Sequence, residues 1–235
     1  TTLYTMMKQL NEPDVNIMTA EDPIEYELNG ITQVHVKPHI GLTFESVLRS
    51  FLRQDPDIML VGEIRDLETA EIAVKAAITG HLVFSTLHTN SAAATIMRLA
   101  HMGVAPYLLA DSVKLIVAQR LVRTLCKACR APAAPPADFI QLLTPEEAAL
   151  VPGIFKSPGC AACAQTGYSG RMPIFEVMEL RTPEIRQLIL SSQGVDKLSL
   201  HAAKEGMVKL RRSALEAVAS GATDVSEAVN IILSE

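Results

Sequence analysis

The chain has 235 residues, 49% hydrophobic and 20% charged, which is enough apolar matter for one large domain and a smaller appendage and excludes the disordered class. A net charge of −5 gives no general attraction to nucleic acid or anionic lipid, so direct nucleic-acid binding is not expected. Without an uninterrupted apolar run of spanning length or a basic-apolar-small leader, the expected location is the cytosol, with nothing that inserts in a bilayer by itself.

In chain order, Thr2 to Leu10 reads as a helix, with Leu3, Met6, Met7 and Leu10 on one stripe and Asn11-Glu12-Pro13-Asp14 as its break. A buried strand over Val15 to Ala20 then runs into Glu21-Asp22-Pro23-Ile24-Glu25. The alternating piece from Ile31 to Val36 suggests a short excursion or hairpin over the sheet. Thr43 caps a helix whose Phe44, Val47, Leu48, Phe51 and Leu52 share one face, with Arg49 and Arg53 on another. Asp57 to Val61 is a nearly all-apolar run, as a parallel strand covered on both faces should be, and it ends in Gly62 and Glu63. A helix over Leu67 to Thr79, stopped by Gly80, leads to a second apolar strand, Leu82 to Thr86, that ends near His88. Ser91 to Met102 is helical up to Gly103, and Pro106 is expected to begin a longer helix running to Leu125.

The composition shifts at Cys126. Ala131 to Pro136 reads as a Pro/Ala linker, a short helix is expected around Pro145 to Leu150, Met172 to Leu180 resembles a strand, and Thr182 to Glu235 falls into short helices broken at Gly194, Gly206 and Gly221. The expected division is a core over 1–124, a cysteine-rich subdomain over 125–172 and a helical region over 173–235. The fold class is α/β with a mainly parallel sheet.

In such sheets ligands bind beyond the carboxyl ends of the strands, where loops converge and helix N-termini point. All three strands expected to be buried deliver ionisable groups there: Glu21, Asp22 and Glu25; Glu63, Arg65 and Asp66; and His88. A phosphoanhydride hydrolase needs a carboxylate on Mg²⁺, a second to orient water and donors for the terminal phosphate. Glu63 suits the first role, Glu25 the second, and His88 with His81 the third. Any one acid taken alone reads equally as a helix cap or a solvated loop residue. His81, directly after a C-terminal glycine, reads equally as a residue satisfying the helix dipole. Arg49 and Arg53 are as suited to ion pairs with Asp55 and Asp57 as to a nucleotide.

The four cysteines form Cys126-x-x-Cys129 and Cys160-x-x-Cys163, about thirty residues apart, a spacing that resembles zinc ribbons. Four thiolates leave no place for water, so such a zinc would be structural; two disulfides or free thiols are the alternative. His101 and His201 read as surface or core histidines, and Arg120, Arg123, Lys127 and Arg130 as a solvated basic face or a phosphate or partner contact.

Taken together, Glu21-Asp22-Pro23-Ile24-Glu25, Leu52 to Asp57, Val61 to Asp66, Thr79-Gly80-His81 and Thr86 to Asn90 resemble the secretion-superfamily ATPases of type II secretion and type IV pilus assembly. The resemblance extends through Ala118 to Arg123, the cysteine pairs and Gly170-Arg171. It implies a RecA-like P-loop NTPase core, with Glu25 as catalytic glutamate of an aspartate box, Glu63 as the Mg²⁺-associated Walker B residue and His88 in a histidine box. Thr1, Glu21, Asp22, Arg65 and His81 would stand around the ATP. It also implies a hexameric homo-oligomer, peripheral at the inner membrane, that works with platform and accessory proteins of a pilus or secretion machine. The cysteine element is typical of the assembly and secretion branches and not of retraction ATPases.

The pattern G-x-x-x-x-G-K-[ST] occurs nowhere in the 235 residues, and the chain opens on Thr1 in what reads as an element under way. The expectation is therefore a fragment beginning just past the phosphate loop, turning ATP over poorly by these residues alone. The rival expectation is a non-catalytic zinc-ribbon interaction module whose α/β part is a scaffold.

Overall fold

The computed structural model describes residues 2–233. Helix α1 spans Thr2–Leu10, strand β1 Ile17–Glu21 and strand β2 Thr32–His35; helix α2 follows at Phe44–Phe51, then β3 at Ile58–Val61, α3 at Leu67–Ile78 and β4 at Leu82–Ser85. Helices α4 (Ala92–His101) and α5 (Pro106–Ser112) precede the long strand β5, Leu115–Leu125. The cysteine region holds β6 (Ala131–Ala133), α6 (Ala137–Gln141), α7 (Pro145–Leu150) and β7 (Ile154–Lys156). It leads into β8 (Tyr168–Glu179) and the helices α8 (Pro183–Leu190), α9 (Val195–Lys204), α10 (Leu210–Ala219) and α11 (Val225–Ile232).

The chain groups into two compact units. The first holds the chain through Thr89, Thr95–Lys114 and Leu180–Val195; the second holds Asn90–Ala94, Leu115–Glu179 and the chain from Asp196 onward. The antiparallel pairing of β5 with β8 makes the cysteine region an insertion within one ribbon.

In the first unit the described residues form a parallel sheet of order β2-β1-β3-β4, with Ile17 to Ala20 opposite Ile58 to Val61 and Ile58 to Val61 opposite Leu82 to Ser85. Alternation divides the core. Met18, Ala20, Met59 and Val61 pack with Val47, Leu48 and Phe51 of α2 and Ile72, Ala73 and Ala76 of α3. Ile17, Ile58 and Leu60 pack on the other side with Tyr4 and Met7 of α1. The central strands β1 and β3 are buried throughout, as expected. Strand β4 departs from the fully buried strand anticipated: it is the edge of the sheet, and its Leu82 is 46% exposed. The alternating piece after Ile31 also differs, since β2 joins the sheet as a parallel neighbour of β1 and forms no hairpin.

Local signals account for the helix starts. The Thr43 hydroxyl accepts from the Ser46 amide at 3.2 Å while the Ser46 hydroxyl accepts from the Thr43 amide at 2.9 Å, a reciprocal cap. Asp66 accepts from the Thr69 amide at 2.8 Å and starts α3. Arg49 pairs along its own helix with Glu45 at 2.8 Å, and Arg53 donates to the Arg49 carbonyl at 3.0 Å. Neither reaches Asp55 or Asp57 as anticipated, because the (i, i+4) acid is nearer than the loop that follows.

In the second unit the helix expected from Pro106 to Leu125 is instead α5 followed by β5. Ile116, Ala118 and Val122 are buried and alternate with exposed Leu115, Val117 and Leu121, a period of two that the helical reading overlooked. Pairing from Leu115 opposite Glu179 to Leu125 opposite Tyr168 supplies what local propensity does not decide. The Pro/Ala linker is likewise a short strand, β6, paired with β7. Glu176 on β8 is 2% exposed, and its oxygens accept from the amides of Ala92 and Leu210 at 2.7 and 3.3 Å. A buried carboxylate is tolerable there because it meets otherwise unpaired amides at two helix starts. Arg211 of α10 donates to both oxygens of Glu147, at 2.6 and 2.9 Å, and to the Leu142 carbonyl at 2.7 Å.

Truncating Phe51 to alanine should cost about 3–5 kcal/mol, against about 1 kcal/mol for Thr43→Ala, as read from urea unfolding midpoints. The Arg211 hydrogen bonds hold the Glu147 carboxyl below its usual range. That stabilisation is complete above the unfolded carboxyl value near 4.3 and is lost as pH falls through the lower folded value. The midpoint difference between the wild type and Arg211→Met should therefore be present at about pH 7 and shrink as the solution is acidified below about pH 4.

Candidate functional site

Strand pairing carries the expected acids to one edge of the sheet. Because Ala20 lies opposite Val61 and Val61 opposite Ser85 in parallel register, the segments after β1, β3 and β4 all leave at the carboxyl side. The Gly62 amide donates to the Ala20 carbonyl at 2.8 Å, and the Thr86 hydroxyl donates to the Gly62 carbonyl at 2.6 Å. A Cβ at position 62 would stand 3.2 Å from the Ala20 oxygen and 3.4 Å from the Glu21 Cα, so glycine lets the two chains close up where Glu63 emerges.

Glu63 is the electrostatic centre. Its side chain is 12% exposed; one oxygen lies 2.5 Å from the Arg65 guanidinium and the other 3.6 Å from His88 Nε2. The His88 imidazole is itself 91% exposed. The hydrogen bond to Glu63, its charge and, more weakly, the charge of Asp22 raise the pKa of Arg65 above its already high ordinary value. The arginine thus senses carboxylates from the β1 and β3 loops together. Asp22 also stands 3.9 Å from His35 Nε2.

Glu25 occupies the loop after β1 with its side chain exposed, and its amide donates to the Tyr4 hydroxyl at 3.2 Å. Glu21 is 4% exposed and points into the fold, where it accepts from Tyr4, from the Thr19 hydroxyl at 2.5 Å and from Gln33 Nε2 at 3.1 Å. The structure therefore places Arg65 and His88 each against Glu63, Asp22 and Glu25 on the loop after β1, and Glu21 buried at the end of that strand. Thr1 lies outside the described residues.

His81 stands apart from this group. It immediately precedes β4, so it lies at the amino end of the sheet, a strand length of about 10 Å or more from the edge that carries His88. Its Nδ1 is 3.0 Å from the Ala76 carbonyl and 3.1 Å from the Thr79 hydroxyl, at the C-terminus of α3. The adjacency of the two histidines to one apolar strand did not distinguish its two ends. Tyr4 and Gln33 were not anticipated near the site. The signal for Tyr4 was available in the position of its hydroxyl-bearing ring on the buried stripe of α1.

The cysteines form a separate centre in the second unit. The four Sγ atoms lie within 4.8 Å of one another, with Cys126 to Cys160 at 3.9 Å, Cys129 to Cys163 at 4.0 Å and Cys160 to Cys163 at 3.8 Å. Disulfides need about 2.0 Å, so no pair is bonded. Sulfurs at about 2.3 Å from one tetrahedral zinc stand about 3.8 Å apart, which is the spacing seen. The amides of Cys160 and Gly167 each donate to the Cys163 sulfur at 3.2 Å. Burial opposes the Cys163 thiolate, but these amides and the Cys160 thiol outweigh it and bring the Cys163 thiol down to about 6. Gly167 has φ +78°, and a Cβ on it would stand 2.5 Å from the Ser157 oxygen, so this close turn requires glycine.

The neighbouring basic residues serve the fold. Arg123 pairs with Glu227 at 2.8 Å and stacks over the Tyr168 ring at 3.9 Å, Arg130 donates to the Gly221 carbonyl at 2.5 Å, and Arg120 donates to the Asn90 carbonyl at 3.2 Å. They do not form the solvated helix face anticipated, because their backbone is strand and loop.

The family model described as "Type II/IV secretion system protein" matches residues 1–230. A type IV pilus assembly ATPase PilB of Acinetobacter baylyi is 51% identical over 99% of this chain, which covers 40% of that protein. The type II secretion system protein E of Aeromonas hydrophila is 44% identical over 98% of the chain, which covers 46% of it. The chain thus spans less than half the length of these relatives. Among solved structures, the pilus retraction motor PilT with bound ADP superposes with a TM-score of 0.70 at 28% identity, over 98% of this chain and 57% of that one. The RecA-like α/β sheet and the tetracysteine cluster are thus set in a chain that belongs to the Type II/IV secretion system protein family.

Proposed function

We propose that this chain is the ATP-hydrolysing part of a motor subunit that powers type IV pilus assembly or type II protein secretion. The observation that carries this reading is the half-buried Glu63 held by Arg65 and His88 at the carboxyl edge of a parallel sheet, with Glu25 on the adjoining loop. A hard carboxylate oxygen at that edge fits Mg²⁺, which is bound through one or two carboxylates and substrate phosphates. Glu63 would hold the ion, whose chemistry is to neutralise charge on the phosphates of ATP. Arg65 and His88, which lie against Glu63, would turn toward phosphate oxygens. Glu25, exposed and with its amide bonded to the Tyr4 hydroxyl, would orient the attacking water. Identity of 44% to 51% to assembly and secretion proteins, against 28% to a retraction motor, favours the former.

The tetracysteine centre fits one structural zinc, which would staple a region whose strands β6 and β7 have three residues each. Following the family resemblance, the subunits would form a cytoplasmic hexameric ring, peripheral at the inner membrane, that engages platform and accessory proteins. No helix among the described residues is long and apolar enough to cross a membrane.

In the full-length protein, Glu25→Gln and Glu63→Gln should each lower phosphate release about 10²- to 10⁴-fold with folding unchanged by circular dichroism. Turnover within threefold of wild type in either would remove that residue from its role. Elemental analysis should find about one zinc per chain, and Cys129→Ser or strong chelation should release it and expose the 126–167 segment to limited proteolysis. Metal-free protein with wild-type protease resistance would refute the zinc assignment.

A further inference from the structure

We infer that Tyr4 is a positioning residue for Glu25, fixing the backbone of the water-orienting glutamate through a hydroxyl shared with buried Glu21. The inference rests on the ATPase reading above and adds to it a residue on a different element.

A phenol has one hydrogen to give and two lone pairs to accept with, and all three are used here. The Tyr4 hydroxyl donates to Glu21 Oε2 and accepts from the Glu25 amide at 3.2 Å and from Gln33 Nε2 at 3.5 Å. The second Glu21 oxygen is occupied by Thr19 and Gln33, so the carboxylate has little freedom to turn away. The ring contributes as well. It meets Tyr26, the residue after Glu25, edge-on with centroids 4.5 Å apart, and Lys8 of α1 lies 5.2 Å over the Tyr26 ring. Tyr4 itself is 5% exposed and packs among Met7, Ile17, Leu28, Ile31, Ile58 and Leu60, which fixes where its hydroxyl sits. Burial and the Glu21 hydrogen bond push the phenol up to about 12, so it keeps its proton at neutral pH and remains a donor.

The outcome is a division of labour along one residue. The Glu25 amide is tied to α1, while its carboxylate is exposed and free to reach a water. Positioning of this kind acts on turnover more than on binding, because the glutamate is needed where charge and geometry change during reaction.

The test uses the full-length protein. Tyr4→Phe should lower kcat about tenfold while KM for ATP, affinity for a fluorescent ATP analogue and oligomer size stay within about twofold. Amide exchange at Glu25, read by mass spectrometry across the 23–27 segment, should accelerate at least about tenfold in the same variant. Glu21→Asp, whose shorter carboxylate no longer reaches the phenol, is the second variant and decides the matter if Tyr4→Phe does not fold; it should show the same two losses. Unchanged exchange in a folded variant overturns the anchor, and accelerated exchange with wild-type kcat overturns its role in turnover. If Glu25→Gln hydrolyses ATP normally, the assignment of Glu25 fails on its own, and the exchange measurement still tests the tether.

Discussion

The parallel pairing of β1 with β3, covered on both faces, is the constraint from which the rest of the first unit follows. A strand buried on both sides accepts only apolar or internally bonded residues along its length, so charge is expelled to its ends. Parallel register then sends every expelled group at a carboxyl end to the same edge. Asp22, Glu63 and the histidine beyond β4 come from three places in the chain and share a rim because of how strands pair.

Electrostatics at that rim are arranged around incomplete solvation. A carboxylate with 12% of its side chain exposed loses much of its hydration, and two cationic or cation-capable partners on separate loops compensate it. One level below, Glu21 is almost wholly buried and is satisfied by hydroxyl and amide donors from α1, β1 and β2. The outer acid faces the exposed side chains of Arg65 and His88, and the inner one ties together α1, β1 and β2. The two carboxylates follow the same rule, that a buried charge must be partnered, with different partners and different consequences.

The second unit meets the same demand with other means. Its ribbon of β5 and β8 buries one face, and polar ties close the gaps: Glu176 at two helix starts, Arg123 between Glu227 and the Tyr168 ring, and Tyr168 bonded to Asp224, the cap of α11. The cysteine insertion has little core of its own. Phe139, Val151 and Ile154 supply burial, and the four cysteine sulfurs gather within 4.8 Å of one another, a set that could hold a metal ion.

Much of this was legible beforehand. Apolar runs bounded by acids named β1 and β3, the capping Thr43 named the start of α2, and two Cys-x-x-Cys pairs named the cysteine cluster, because each rests on local stereochemistry or ligand spacing written into a few neighbouring residues. The segment Leu115 to Leu125 was misread as helix because its partner strand begins 43 residues after it ends, and pairing at that distance leaves no local mark. His81 and His88 flank one strand and look alike in sequence; only the direction of β4 in the sheet assigns them to opposite ends. Glu21 and Glu25 are four residues apart in one acidic stretch, and nothing in their order tells which is buried. That was decided when α1 packed against the sheet and Tyr4 brought a hydroxyl to meet them. Composition and spacing alone determined which chemistry the chain carries, since residue types and local geometry are properties of short segments. Which groups meet, and which face inward, was decided only in three dimensions, because burial and hydrogen-bond partnership are set by segments far apart in the chain.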